Sequence, residues 1–159
     1  MQAVNGATTI SGASGTAAVT NAAADAGTWA LSETGPAGYT QGAWICTAGT
    51  LAGSNLTLAP GDTATCTINN NDISPKLTLV KQVVNDNGGT LLANTVNLTA
   101  SGPTPITGVT GAAAVNAANV NAGTYTLTEA ATPGYTQGAW SCTAGTLTVN
   151  SLVLALNQN

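Results

Sequence analysis

The chain has 159 residues and a formal charge of −4, with two Lys, six acidic residues and no Arg, His or Phe. So few cations leave no basic footprint for nucleic acid or an anionic lipid surface. Without His, most general-base and metal-ligand chemistry is out of reach and no nucleophile–base pair can be assembled, so neither an enzyme nor a cofactor is expected.

The length suits one medium domain or two small ones. The first residues, MQAVNGATTISG, have neither a basic start nor an apolar core. No secretory signal is therefore expected here, and a signal for export would lie outside this stretch. No apolar run reaches the length of a membrane helix, so no membrane insertion is expected.

From the N-terminus, TTISGASGTAAV (8–19) leads through an Ala-rich stretch to AGTWALSETGPAGYTQGAWICTAGT at 26–50. GTLAGSNLTLAPGDT (49–63) and ATCTINNNDISP (64–75) follow, then KLTLVKQVVNDNGGTLLANTVNL (76–98). After that the pattern returns. TPITGVTGAAAV occupies 104–115, AGTYTLTEAATPGYTQGAWSCTAGT occupies 122–146, and GTLTVNSLVLALNQN occupies 145–159. Residues 3–63 align with 99–159 without a gap, and Gly38, Trp44 and Cys46 answer Gly134, Trp140 and Cys142 at one offset of 96 residues. Such self-similarity marks a repeat architecture. The expected units are 1–75, a repeat lacking its opening strands, and 76–159, a repeat lacking its closing strand. The stretch then reads as a frame taken from a longer tandem array, because edge strands are seldom left open.

Within a unit the apolar signal has period two. Leu77, Leu79, Lys81 and Val83 share one face, as do Tyr125, Leu127 and Glu129 opposite Thr124, Thr126 and Thr128. Ala64, Cys66, Ile68 and Asn70 form another such set, and Leu152, Leu154 and Leu156 another. Strict alternation predicts half-buried antiparallel strands. Turn signals separate them at Asn85–Gly89, Ser101–Pro103, Pro133-Gly134 and Pro60–Asp62. Strands at this spacing predict an all-β fold, an antiparallel Ig-like β-sandwich of about seven strands per unit. The Ala-rich stretches 17–24 and 112–119 are expected as strand or loop rather than helix. No segment sustains 3.6-residue apolar spacing, and Gly recurs too often for a helical fold.

Two sets of residues could carry chemistry. Cys46 and Cys66 lie in one copy and are expected to form a disulfide; buried free thiols are the alternative. Cys142 answers Cys46, and its partner would lie outside this stretch. The second set is ionisable and inward by strand parity: Lys81, Glu129, Glu33 and, extending an apolar face, Asn70. Lone buried charges are costly, so these groups should meet one another. Burial favours the neutral amine of Lys and the neutral acid of Glu. An amine beside an Asn carboxamide, with a protonated Glu polarising its carbonyl, suits a self-formed Lys–Asn isopeptide bond. The alternatives are a plain Lys81–Glu129 ion pair, or a Lys81 that snorkels to water. Weaker candidates are N-glycosylation at Asn55 and Asn97, cation binding at Asn85, Asp86 and Asn87 against a hairpin turn, and sugar stacking on Trp44 and Trp140 against a core role.

The runs KLTLVKQVVNDNGGT, AGTYTLTEAATPGYTQGAWSCTAGT and DTATCTINNND resemble the prealbumin-like repeats of bacterial surface proteins, of the SpaA type and the collagen-adhesin B type. The most specific part is Tyr-Thr-Leu-Thr-Glu followed by Pro-Gly-Tyr. The resemblance puts Glu33 and Glu129 at the isopeptide Glu, Lys81 at the Lys, and Asn70 at or next to the Asn. Neither copy holds all three, so such a bond would need residues from outside a single copy. The resemblance implies an extracellular or cell-surface location in a bacterium. It also implies a stalk, filament, sheath or pilus role, with neighbouring repeats or identical subunits as partners. Units would then stack through the short connection Asn71–Pro75. The second reading is an adhesin module with a glycan or protein ligand, which needs exposed repeated aromatics such as Tyr39/Tyr135 or Trp44/Trp140. An ice-binding surface is a third reading, suggested by the Thr-rich faces, but the period is far longer than that of a regular solenoid.

Overall fold

The computed structural model describes residues 1–158. They form two compact units, Met1–Asn71 and a second that begins at Asp72. The connection at residues 72–75, expected with the first unit, goes with the second, because Asn157 N–H donates to Ile73 O (2.8 Å) and Lys76 N–H to Gln158 O (2.8 Å).

Unit 1 contains β1 (Gln2–Asn5), β2 (Thr8–Ser11), β3 (Gly27–Ser32), β4 (Tyr39–Cys46), β5 (Thr50–Ala52), β6 (Asn55–Leu58) and β7 (Cys66–Asp72). An antiparallel sheet runs β2-β1-β3-β6-β5, and β4 pairs separately with β7. Alternation in β3 buries Trp29 and Leu31 and exposes Thr28 and Ala30. Trp29 (1% exposed) packs with Leu56, and its indole N–H donates to Asp25 O four residues back at 2.9 Å. That bond satisfies the one polar atom of a buried Trp.

Unit 2 contains β8 (Lys76–Leu77), β9 (Asn97–Ser101), β10 (Ile106–Val109), β11 (Ala118–Asn119), β12 (Gly123–Glu129), β13 (Thr146–Thr148) and β14 (Ser151–Leu154). Its main sheet is antiparallel in the order β10-β9-β12-β14-β13, and β8 pairs with β11. Leu98, Ala100, Tyr125, Leu127, Leu152 and Leu154 point from this sheet into a core closed by Leu77, Leu79, Val115 and Val120. Tyr125 sits where unit 1 has Trp29. It is fully buried, and its hydroxyl donates to Asn121 O, again four residues back, at 2.7 Å and accepts from Thr104 N–H at 3.2 Å. The opposite face of the sheet carries threonines, two of which, Thr99 and Thr107, share a cross-strand hydrogen bond at 2.8 Å.

Two expectations are corrected, for KLTLVKQVV and for Asn70. KLTLVKQVV is a ladder-forming strand only at Lys76–Leu77. The rest keeps the expected sidedness, with Leu79 buried and Lys81 and Val83 half-buried. It lacks a paired neighbour, and extended chain becomes a strand only where another backbone accepts its hydrogen bonds. The Ala-rich stretches are loop and strand as expected: 17–24 holds turns and bends, and 112–119 holds β11 after a single 3-10 turn at Ala113–Val115. Asn70, expected inward, is exposed near the end of β7, beyond the half-buried Ala64, Cys66 and Ile68.

Candidate functional site

Each unit presents one half of a similar constellation at the end of its central strand. In unit 2, β12 ends at Glu129, half-buried by the same alternation that buries Tyr125 and Leu127. The extended segment after β8 brings Lys81 opposite. Its Nζ donates to Glu129 Oε1 at 2.9 Å and Oε2 at 2.8 Å, and both side chains are largely shielded (16% and 13% exposed). Thr110 Oγ1 accepts the Lys81 backbone N–H at 2.7 Å and holds the segment in place. The geometry is that of a charge-assisted bidentate pair.

In unit 1, β3 leads into Glu33. Its Oε1 is buried and has no hydrogen-bond partner among the described residues. Asn70, exposed near the end of β7, also lies beside Gly35. Its Nδ2 and Glu33 Oε1 each lie 3.7 Å from where a Cβ on Gly35 would stand. Unit 2 thus pairs Lys81 with Glu129, whereas in unit 1 Glu33 and Asn70 flank Gly35 without a hydrogen bond between them.

The cysteines divide the same way. Cys46 at the end of β4 and Cys66 at the start of β7 form a disulfide across a separation of 20 residues. The strands meet in opposite directions: Thr47 N–H donates to Thr65 O at 3.0 Å, and Gly42 approaches Asn69 O. Cys142 is free and exposed, and partial burial still pushes its thiol above the ordinary value.

One residue pair escaped the reading of the sequence. Gln41 Nε2 donates to Glu33 O at 2.9 Å, and Gln137 Nε2 donates to Glu129 O at 3.1 Å. The Gln of each GYTQGAW run therefore clamps the backbone of the Glu eight residues before it. Its recurrence in both copies was the available signal. Tyr135, offered as a surface aromatic, is half-buried: its hydroxyl donates to Asn85 Oδ1 at 2.6 Å and accepts from Leu91 N–H at 3.1 Å, pinning the turn between them. Asn85 is thereby engaged within the turn, and no cluster of metal ligands occurs among the described residues. Trp140 packs against the core of unit 2, and Trp44 is half-buried.

These features define a class of small all-β domain in which paired side chains and a disulfide staple strands together. Residues 2–68 and 72–159 each match the prealbumin-like fold domain of the SpaA type, so the chain belongs to that family. Domains of this family occur in bacterial surface proteins, typically pilus and adhesin proteins, and the fold is structural rather than enzymatic. No curated protein and no solved structure matches the chain. No helix among the described residues is long and apolar enough to cross a membrane.

Proposed function

We propose that this chain is a section of an extracellular bacterial stalk, filament or sheath with a mechanical role, built from tandem units that recur every 96 residues. The observation that carries this reading is the stapling of strands by side chains. The Cys46–Cys66 bond joins β4 to β7, and the Lys81–Glu129 pair joins β12 to the segment after β8. A surface with almost no charge and many threonines suits a structure that must persist outside the cell. Its partners would be neighbouring repeats or identical subunits, with no nucleic acid.

A unit that held Lys, Glu and Asn together could go further. The lysine amine would attack the Asn carboxamide carbon, the new C–N bond would replace the old one, and ammonia would leave while the Glu carboxyl shuttled the proton. Here Lys81 and Glu129 stand in one unit and Glu33 and Asn70 in the other, so the isopeptide belongs to a unit completed by a further strand. The intact mass of a polypeptide spanning a whole unit would then be short by one ammonia.

The adhesin reading, with a glycan or protein ligand, rests on Tyr39, which is 42% exposed. It loses weight because Trp44, Trp140 and Tyr135 are half-buried. Immunogold labelling of intact source cells with antibody to this chain separates the cases. Continuous label along appendages or the cell envelope is expected. Label confined to the cytosol or the free medium would overturn the stalk reading.

A further inference from the structure

Unit 2 has two facing segments without strand partners. Residues 135–142 read YTQGAWSC and differ from β4, YTQGAWIC, only at Ser141. In unit 1 this sequence is a strand of eight residues paired with β7. In unit 2 it has no sheet partner, and residues 136–142 make no backbone–backbone hydrogen bond among the described residues. Across from it, residues 80–84 alternate between exposed and half-buried and are equally unpaired in backbone terms, Lys81 N–H being met by the Thr110 side chain. The space between the two segments is a groove of about 1380 Å³ with Leu127, Leu152 and Leu154 in its wall. That exceeds the ~300–1,000 Å³ of ordinary small-molecule sites. Two segments without backbone partners flanking an apolar wall are what an incoming strand needs on both of its edges.

The glycines make the same point independently. A Cβ on Gly42 would stand 2.7 Å from Asn69 O, because β7 lies against it. At the matching Gly138 a Cβ would meet nothing within 4 Å. The cysteines repeat it: Cys46 is bonded to Cys66 of β7, while Cys142 is free.

We infer that this groove is an acceptor for an added β-strand, and that its occupant has the chemistry of β7. This is an extended partner segment that begins with a cysteine, alternates small apolar residues inward with threonine outward, and runs antiparallel to 135–142. Its cysteine would face Cys142. The two thiols would join by exchange with a small disulfide such as oxidised glutathione, which takes up the two electrons and two protons and leaves as two thiols. A second copy of this chain is not the occupant, because its own β7 is already bonded through Cys66 to β4. Strand capture does not depend on the mechanical role, and either could fail alone.

The test uses the full chain with a synthetic peptide of the sequence at 62–74, DTATCTINNNDIS, its Cys66→Ser version, and a scrambled peptide that keeps its cysteine. Hydrogen exchange and non-reducing intact mass are read in a glutathione buffer. The Cys66→Ser peptide is expected to slow amide exchange about tenfold or more at both 78–84 and 136–142. The cysteine peptide should add to Cys142, with loss of two hydrogens, about tenfold faster than the scrambled one. Gly138→Val should abolish the protection while leaving exchange in β9 and β12 unchanged. Equal addition by the ordered and scrambled peptides would reduce Cys142 to an exposed thiol and overturn the proposal. So would absent protection, protection that survives Gly138→Val, or a Cys142-linked homodimer as the main product.

Discussion

Glu129 and Lys81 show why two ionisable residues can lie on an apolar strand face. Each neutralises the other, and shielding from water strengthens the bidentate contact at 2.8–2.9 Å. Glu129→Gln leaves Lys81 charged, shielded and without its anion. That change should cost about 2 kcal/mol of unit 2 stability, read as a lower denaturant midpoint. Replacing the pair together by Lys81→Met and Glu129→Leu should cost less than the single change, since no charge is then stranded. Cys142 supplies a pH-dependent case. Its thiol is pushed up by partial burial, so the folded state prefers the protonated form. The associated stability is full below the free-thiol range and is lost as pH rises through the raised value. Alkylation of Cys142 in the folded chain should therefore reach half its limiting rate at a higher pH than in a short cysteine peptide.

Among the strands, the pairing of β4 with β7 depends on a close approach of backbones. Gly42 allows it because it carries no Cβ; an added one would press on Asn69 O at 2.7 Å. Gly42→Ala should push the two strands apart and cost about 1–3 kcal/mol, with faster amide exchange in both. The same change at Gly138 meets open space and should be neutral or stabilising by about 0.4–1 kcal/mol. Gly49 and Gly145 play a different part. Both adopt positive φ (79° and 77°) where the chain turns into β5 and β13. An added Cβ there would meet Thr57 O at 2.7 Å or Val153 O at 2.6 Å. The AGT triplet that recurs in the sequence is thus a turn that only glycine can make.

At the level of the whole molecule, the two units reach stability by different means. Unit 2 buries a broad core around Tyr125 and Leu127. In unit 1 the buried hydrophobics are Trp29, Leu31 and Leu56, and the disulfide adds what the smaller core cannot. Closing a loop of this length contributes about 3 kcal/mol. Cys46→Ser with Cys66→Ser should lower the stability of unit 1 by about that amount. Exchange in β9, β12 and β14 of unit 2 should be unchanged, which peptide-resolved hydrogen exchange would show.

The all-β class, the buried parity of β3, β12 and β14, the turn positions and the Cys46–Cys66 bond were all readable in the linear order of residues, whereas in β7 the parity held only as far as Ile68. Each depends on a period of two, on Gly and Pro as punctuation, or on the scarcity of cysteine, and these are local properties. Side-chain parity also put Lys81 and Glu129 on inward faces, though it left open whether they would bond, pair or part. Only the folded chain showed them paired and Glu33 Oε1 without a partner. The same division explains KLTLVKQVV and YTQGAWSC. Their alternation is strand-like, yet each lacks a ladder in unit 2, because a strand is completed by its neighbour's hydrogen bonds and no residue carries that neighbour in its own sequence.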